Sequence, residues 1–159
     1  MKQVDTYFLL PGALQVSKDP LLVTTILGSC ISVCLWDRRR NIGGINHYML
    51  PLWNGQGLAS PKYGNIAIEK LIAQMVRMGS LKKDMVAKIF GGGEVLQSNC
   101  CVFNIGKRNT DYAKEVFSNI EIPVVGQSTG GEYGRKIIFN TSTGEIRMKY
   151  VRKTKLNKQ

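Results

Sequence analysis

The sequence predicts a mixed α/β protein in which β-sheet dominates. About eight segments show the alternation or the β-branched, apolar runs that are typical of strands, whereas only two segments show helical spacing. Short polar turns between consecutive strands indicate hairpins and argue against a doubly wound parallel sheet. A length of 159 residues is typical of one domain with one core. We therefore expect a single domain over residues 1–150, followed by a basic and flexible C-terminal tail over residues 151–159.

The first half of the chain predicts four strands, at residues 6–10, 21–26, 31–36 and 42–50. In the third of these, Ile31, Val33 and Leu35 alternate with smaller or polar residues, which is the period of a strand. The polar run 37–41 then predicts a turn, so the last two strands form a hairpin. Gly43-Gly44 in the returning strand allows a β-bulge.

The second half predicts both helices and four more strands. Ser60 and Pro61 are typical of a helix start, and Gly79 of a helix stop. Asn109 or Thr110 is expected to cap a second helix that runs to about residue 119. Further strands are predicted at residues 85–90, 122–125, 135–140 and 145–151, the last two joined by a hairpin turn over residues 141–144.

The charge and hydropathy of the chain exclude some classes of protein. The formal net charge is +11, but six of the basic residues lie in residues 147–159, where there is no acid. The body is thus only mildly basic, and a small RNA- or DNA-binding protein remains an alternative that we do not favour. The uncharged and largely apolar run at residues 21–36 is shorter than the ~20 apolar residues of a membrane-spanning helix. We expect a cytoplasmic protein with reduced cysteines that binds neither nucleic acid nor membrane.

His47 is the single histidine, so any imidazole chemistry must use it. If the hairpin turn centres on Arg38-Arg39, Cys30 lies directly opposite His47, with Cβ atoms ~4.5–5.5 Å apart on one face. A register that differs by one residue places His47 on the other face, unless the glycine bulge restores it. The spacing therefore permits a nucleophile and its base but does not require them, and a buried structural histidine remains the alternative.

Residues around Cys30 favour a nucleophilic role. Gly28 and Ser29 predict a bend without side-chain bulk, at which main-chain N–H groups can face an oxyanion. Thr24, six residues before Cys30, can orient the imidazole through a backbone or hydroxyl oxygen, or it is an ordinary strand threonine. Cys34 is the rival nucleophile on the same strand face, although its position predicts a buried and inert thiol.

Other binding chemistries have weaker signals. The cysteines and His47 do not have the spacing of a zinc site, so no metal is predicted; the cysteines are Cys30, Cys34, Cys100 and Cys101. Residues 91–93 are three glycines without the Lys-Ser/Thr that completes a phosphate loop. The segment before the second helix could bind an anion at the helix N-terminus, which makes Arg108 and Asn109 tentative substrate-binding residues. Gly28 and Ser29 are tentative substrate-binding or oxyanion residues as well. A loop followed by a helix cap explains the sequence before the second helix equally well.

Five short motifs occur in an order that resembles the CheD family of chemoreceptor glutamine deamidases, over residues 6–150. They are Leu27-Gly28-Ser29-Cys30, His47-Tyr48-Met49-Leu50-Pro51, Phe90-Gly91-Gly92, Ile105-Gly106-Lys107-Arg108-Asn109 and Gly130-Gly131-Glu132-Tyr133-Gly134-Arg135. Each motif alone has little specificity, but five in one order are specific. Gly93-Glu94 departs from the family pattern, in which a small residue is expected, and the basic tail lies outside that pattern.

The resemblance implies a layered sandwich of mixed or antiparallel β-sheets flanked by helices, related to the catalytic domain of cytotoxic necrotizing factors. It implies a thiol amidohydrolase with Cys30 as nucleophile, His47 as base and Thr24 holding the imidazole, acting on receptor glutamines through a thioester and needing no cofactor. Hydrolysis of receptor methyl esters is an implied side activity, and the CheC phosphatase is an implied partner beside the methyl-accepting chemoreceptors. A catalytically silent adaptor that binds receptor or CheC is the alternative.

Two further hypotheses concern recognition. A basic enzyme should be steered electrostatically to an acidic helical receptor, with a contribution from the tail. Trp53, which follows His47 in the next loop, is expected to line the substrate cleft, or to staple the loop as a buried side chain.

Overall fold

The computed structural model describes residues 3–95 and 104–151, which form nine strands and two α-helices. The strands are Asp5–Phe8 (β1), Leu14–Ser17 (β2), Leu21–Leu27 (β3), Ile31–Asp37 (β4), Ile42–Asn46 (β5), Met85–Gly91 (β6), Val124–Thr129 (β7), Gly134–Asn140 (β8) and Ile146–Val151 (β9). The helices are Gly64–Arg77 (α1) and Ile105–Asn119 (α2), and a short 3-10 turn at Lys82–Asp84 precedes β6.

Two mixed sheets stack face to face, and both helices cover the outer face of one of them. The four-stranded sheet has the order β1-β3-β8-β9 and the five-stranded sheet has the order β2-β5-β4-β6-β7. The β1–β3 and β6–β7 pairs are parallel, and the other pairs are antiparallel. The predicted layered α/β sandwich is therefore confirmed, with the helices on one side only.

Strand β4 separates the two parts of the core. Its residues Ile31, Val33 and Leu35 belong to the cluster that packs under the helices, whereas Cys34 belongs to the cluster between the sheets. Because side chains alternate across a strand, Cys30 is directed to the same side as Cys34, and it packs against the intersheet cluster. The end of this intersheet layer is where the candidate site lies.

The glycine pair in β5 serves close packing and does not form the predicted bulge. β5 keeps a continuous register with both β4 and β2. A Cβ atom on Gly43 would lie 2.5 Å from Cα of Thr141, in the turn that follows β8 of the facing sheet, and one on Gly44 would lie 2.9 Å from Cδ1 of Leu71 in α1. The two glycines thus let both neighbouring layers approach the strand.

Helix starts and one strand differ from the sequence-based expectations. α1 begins at Gly64, four residues after Ser60, because the Ser60 carbonyl accepts the N–H of Tyr63 in a preceding turn. α2 begins at Ile105, so Asn109 and Thr110 lie inside the helix and the prediction that either caps it is wrong. β2 was not predicted, and the strand expected at 122–125 is shifted to β7.

A buried carboxylate fixes the turn between β4 and β5. Asp37 accepts hydrogen bonds from the backbone N–H groups of Arg39 and Arg40, from the Arg40 guanidinium and from the Ser80 hydroxyl. Burial acts to raise the pKa of Asp37, but these hydrogen bonds outweigh it and hold the pKa below its usual value. The turn is therefore the four residues 38–41, and β4 pairs with β5 as Asp37↔Ile42.

Neither described helix is long and apolar enough to cross a membrane.

Candidate active site

Cys30 and His47 lie on the same face of the five-stranded sheet, offset along the diagonal. Ile31 and Tyr48 form an antiparallel bridge with two backbone hydrogen bonds, 3.0 Å and 2.9 Å. This register places Cys30 opposite Met49, so His47 is displaced by two residues from the directly opposite position that the turn at Arg38-Arg39 predicted. Diagonal neighbours of this kind have Cα atoms about 7–8 Å apart, within reach of a side chain as long as histidine.

Thr25 on β3 holds the imidazole from the facing sheet. Its Oγ1 lies 2.7 Å from Nδ1 of His47 and 2.9 Å from the carbonyl oxygen of Leu9. A hydroxyl has one proton, and the Leu9 carbonyl can only accept it. The Thr25 oxygen must therefore accept the hydrogen bond from Nδ1–H, which leaves the lone pair of a neutral imidazole on Nε2. This is the tautomer that a general base needs if Nε2 faces the nucleophile.

The prediction that Thr24 orients the imidazole is thereby corrected. Thr25 is fully buried between the sheets, whereas the side chain of Thr24 lies on the other face of β3 and is only half-buried. The Thr24 carbonyl accepts the N–H of Leu9 at 2.8 Å, so its backbone oxygen also serves the sheet. The two adjacent threonines thus have different roles.

The three carbonyl groups of the Gly28-Ser29-Cys30 turn are all held from outside. The Gly28 oxygen accepts the N–H of Gly93, the Ser29 oxygen accepts Nδ2 of Asn109, and the Cys30 oxygen accepts the N–H of Gly92, each at 2.9 Å. Within residues 3–95 and 104–151, the N–H groups of Ser29 and Cys30 have no acceptor. The turn is therefore anchored through its carbonyls, and it leaves main-chain donors beside the thiol.

Gly91 allows the glycine segment to lie against the turn. It has a φ of +111°, and a Cβ atom there would overlap the Cys30 carbonyl oxygen. Only glycine accommodates both conditions without strain.

Asn109 joins the Gly28-Ser29-Cys30 turn, which carries the predicted nucleophile and is called the nucleophile turn, to the segment that follows His47. Its Nδ2 donates to the Ser29 carbonyl at 2.9 Å and to the Met49 carbonyl at 3.0 Å, and its own carbonyl accepts the Tyr48 hydroxyl. Asn109 is fully buried, so it acts as a clamp between backbone segments. Arg108, the neighbouring residue in α2, is exposed instead and lines a separate groove.

Burial keeps the two reactive groups neutral. It lowers the pKa of His47 to about 4 and raises the pKa of the Cys30 thiol. At neutral pH this burial favours the neutral imidazole and the neutral thiol. Cys34 is 2% exposed, and burial raises its pKa strongly, which is the environment of an unreactive structural thiol.

Arg135 braces the loops behind the turn, and the sequence predicted no role for it beyond its place in the last of the five motifs. Its guanidinium is buried and donates to the Ser128 hydroxyl, to the Gly91 carbonyl and to the Gly130 carbonyl. The available signal was its position in β8, where Arg135 shares the inward face with Ile137, because an arginine at a core position needs specific acceptors.

Several predicted features are not placed. Cys100, Cys101 and the tail beyond residue 151 lie outside the described residues. No cluster of three or more potential metal ligands occurs in the part of the chain that the structure describes. Trp53 is half-buried, its indole N–H donates to the Gln56 carbonyl, and its role in substrate binding stays a prediction.

The fold is thus an α/β sandwich with a thiol, an imidazole and a hydroxyl that binds the imidazole at the end of its intersheet layer. Residues 49–150 match the family model described as CheD chemotactic sensory transduction. A protein of Trichlorobacter lovleyi named "Probable chemoreceptor glutamine deamidase CheD" is 50% identical, over 88% of this chain and 87% of its own. A protein of the same name from Sulfurimonas denitrificans is 46% identical, over 87% of this chain and 90% of its own. The chain therefore belongs to the CheD family, as its motifs predicted, and it is an enzyme of the deamidase class.

A more distant relative and one solved structure were also found. The Chromobacterium violaceum protein "Probable chemoreceptor glutamine deamidase CheD 2" is 36% identical, over 96% of this chain and 77% of its own. Bacillus licheniformis hypothetical protein YfiH aligns with a TM-score of 0.48 and 17% identity, over 72% of this chain and 49% of that one. The relation to cytotoxic necrotizing factors stays a prediction.

Proposed function

We propose that this protein hydrolyses the side-chain amides of specific glutamines in methyl-accepting chemoreceptors, with Cys30 as the nucleophile and His47 as the base. The observation that carries the proposal is the hydrogen bond between Thr25 and His47, because it leaves the lone pair of the imidazole on Nε2. The names of the curated relatives support the substrate, since each is called a probable chemoreceptor glutamine deamidase.

In the first half-reaction, Nε2 of His47 takes the proton of the Cys30 thiol as the sulfur attacks the carboxamide carbon. The carbonyl oxygen becomes an oxyanion, which the N–H groups of Ser29 and Cys30 stabilise at the bend that Gly28 permits. The imidazolium then returns its proton to the amide nitrogen. The C–N bond breaks, ammonia leaves, and the substrate remains attached to Cys30 as a thioester.

In the second half-reaction, the same Nε2 removes a proton from water, and the resulting hydroxide attacks the thioester carbon. The C–S bond breaks, the sulfur recovers a proton from the imidazolium, and glutamate is released. A glutamate methyl ester would form the same acyl intermediate with methanol as leaving group, so esterase activity is part of the proposal. Neither half-reaction needs a metal ion or an organic cofactor.

A neutral resting pair suits this mechanism. Because the pKa of His47 is lowered to about 4, the imidazole is unprotonated and available as a base at neutral pH. The thiol is activated only when substrate is bound and the proton can move to Nε2, which limits reaction of a free thiolate with other electrophiles.

The test is mass spectrometry of a glutamine-bearing cytoplasmic fragment of a chemoreceptor, incubated with the wild type, with Cys30→Ala and with the matched control Cys34→Ala. We expect specific glutamines to become glutamate with the wild type and with Cys34→Ala, and to persist with Cys30→Ala. Trapping of the fragment on the wild-type protein as a hydroxylamine-sensitive adduct would identify the thioester. Conversion by Cys30→Ala at the wild-type rate would refute the assignment of the nucleophile.

The alternative is an adaptor that binds receptor or a CheC-type phosphatase without catalysis. A folded wild-type protein that binds the receptor fragment or CheC, but converts no glutamine with or without CheC, would favour it. We place either role in the cytoplasm, where the helical signalling region of a chemoreceptor lies.

A further inference from the structure

A groove beside the active site is lined by both apolar and polar residues, and Arg108 is the cation among them. We call the apolar side chains Leu50, Leu52 and Ile105 the apolar floor of the groove and Arg108 its rim. The groove has a volume of about 280 Å³, and its lining includes Leu50, Leu52, Tyr63, Ile105 and Arg108. Two chain connections place it next to the nucleophile turn. Two groove residues, Leu50 and Arg108, are the chain neighbours of Met49 and Asn109. The Asn109 side chain donates hydrogen bonds to the carbonyls of Met49 and Ser29, and Ser29 belongs to the nucleophile turn.

Four large apolar side chains in residues 49–58, the segment that supplies part of the groove lining, are exposed. Met49 is 39% exposed, Leu50 is 37% exposed, Leu52 is 58% exposed and Leu58 is 88% exposed. Single exposed leucines are common, but Leu50 and Leu52 are both exposed and both line the groove, as a surface that binds another protein requires. The groove is therefore suited to the apolar face of a partner.

The charge at the rim has no partner within the described residues. Lys107 forms an ion pair with Asp111 at 2.6 Å, one turn further along α2. Arg108 is exposed and takes part in no ion pair in residues 3–95 and 104–151, and no carboxylate lines the groove. A guanidinium beside an apolar floor can receive a carboxylate in a bidentate geometry, as a lysine cannot.

We propose that this groove binds an amphipathic, acidic helix of the substrate, and that Arg108 pairs with a carboxylate about one helical turn from the target glutamine. The inference rests on the proposed function and adds a rule of selection to it. Residues three or four apart share one face of a helix, so a carboxylate at that spacing reaches the rim while the glutamine faces Cys30. The apolar residues of the same face then pack against Leu50 and Leu52.

The test is a charge exchange between enzyme and substrate. The substrate is a receptor helical fragment with one glutamine and one glutamate three or four residues away, and a second fragment has that glutamate replaced by lysine. We expect Arg108→Glu to lower kcat/KM on the first fragment about 10-fold or more, mainly by raising KM, and to recover most of the loss on the lysine fragment. The matched control is Lys107→Glu, one residue away and already paired, which should change kcat/KM less than about 3-fold.

The apolar floor is tested by Leu52→Ser, which should raise KM with little change in kcat. The inference is overturned if Arg108→Glu and Lys107→Glu have equal effects, or if the lysine fragment shows no recovery with Arg108→Glu.

Binding separates this inference from the proposed function. The Cys30→Ala protein, with and without Arg108→Glu, is titrated against both labelled fragments by fluorescence anisotropy. Preference of Cys30→Ala for the glutamate fragment, reversed by Arg108→Glu, supports the groove even if no glutamine is converted. Equal affinity of Cys30→Ala for both fragments overturns the inference while leaving the deamidase activity intact.

Discussion

Replacing Thr25 by valine removes the hydroxyl that holds His47 and keeps the shape of the side chain. The substitution leaves two buried groups without a partner, Nδ1–H of His47 and the carbonyl oxygen of Leu9. Valine is compatible with the strand and with the intersheet packing, so we expect the fold to persist. The matched variants are Thr24→Val on the other face of β3 and Thr25→Ser, which restores a hydroxyl.

The expected loss can be worked from the hydrogen bonds. A buried polar group left unsatisfied costs about 1–3 kcal/mol. The imidazolium formed during catalysis needs the Thr25 oxygen more than the neutral ring does, because a charged N–H donor forms the stronger hydrogen bond. An additional cost of this size in the transition state lowers kcat about 5- to 150-fold. Because Thr25 touches the base and not the substrate groove, KM should stay within about 2-fold. The free energy of unfolding should also fall by about 2–6 kcal/mol, since both groups lose their partner.

The assay is the release of ammonia from a glutamine-bearing receptor fragment, with kcat and KM determined separately, together with urea denaturation of each variant. Thr25→Ser should recover most of kcat, and Thr24→Val should stay within about 2-fold of the wild type. If Thr24→Val lost activity while Thr25→Val kept it, the assignment of Thr25 as the positioning residue would be wrong. A rise in KM with unchanged kcat for Thr25→Val would also refute the reasoning.

Two further predictions concern the same site. The folded-state pKa of His47 is depressed from 6.5 to about 4, so the unfolded chain binds the proton more tightly than the folded chain does. Protonation of His47 should therefore lower the free energy of unfolding by about 2 kcal/mol between pH 7.5 and pH 5. Urea denaturation should show that His47→Gln lacks this loss, and an equal pH dependence of the wild type and His47→Gln would contradict the prediction. The substitution Asn109→Asp keeps the shape of the side chain but removes the N–H donor to the Ser29 and Met49 carbonyls, so kcat should fall at least 10-fold. A wild-type kcat in that variant would refute the role of Asn109 as a clamp between the two backbone segments.

The alternation of β4 could be predicted from the sequence, because Ile31, Val33 and Leu35 share one face and must be buried together. That alternation alone places Cys30 with Cys34 on the opposite face, which the structure directs toward the second sheet. Sequence could not decide between Thr24 and Thr25, because the neighbours of both faces of β3 are apolar. Only the position of the second sheet distinguishes the faces, and that position depends on the whole fold.

The hydrogen bonds to the backbone carbonyls of residues 28–30 could not be predicted from the sequence either, because their donors come from distant parts of the chain. The residues that bind the carbonyls of the nucleophile turn are Gly92, Gly93 and Asn109, which lie about sixty to eighty positions away in the chain. Glycines at 91–93 predicted a turn, but nothing in their spacing indicated which segment they would approach. Asn109 looked like a helix cap because asparagine is common there, whereas tertiary hydrogen bonds place it within the helix.

The hairpin shows why the face of His47 was easier to predict than its distance from Cys30. The turn was expected to centre on Arg38-Arg39, but the Asp37 carboxylate binds the N–H groups of Arg39 and Arg40 and moves the centre by one residue. Moving the centre of a turn by a whole residue shifts every cross-strand partner by two positions, and the period of a strand is also two. Cys30 and His47 therefore stay on one face in either register and change from directly opposed to diagonal. A diagonal pair is farther apart than a direct pair, so in the proposed mechanism the imidazole must extend along the diagonal for Nε2 to reach the thiol proton. The Thr25 hydroxyl, which binds Nδ1 on the other side of the ring, then fixes the direction in which the ring extends.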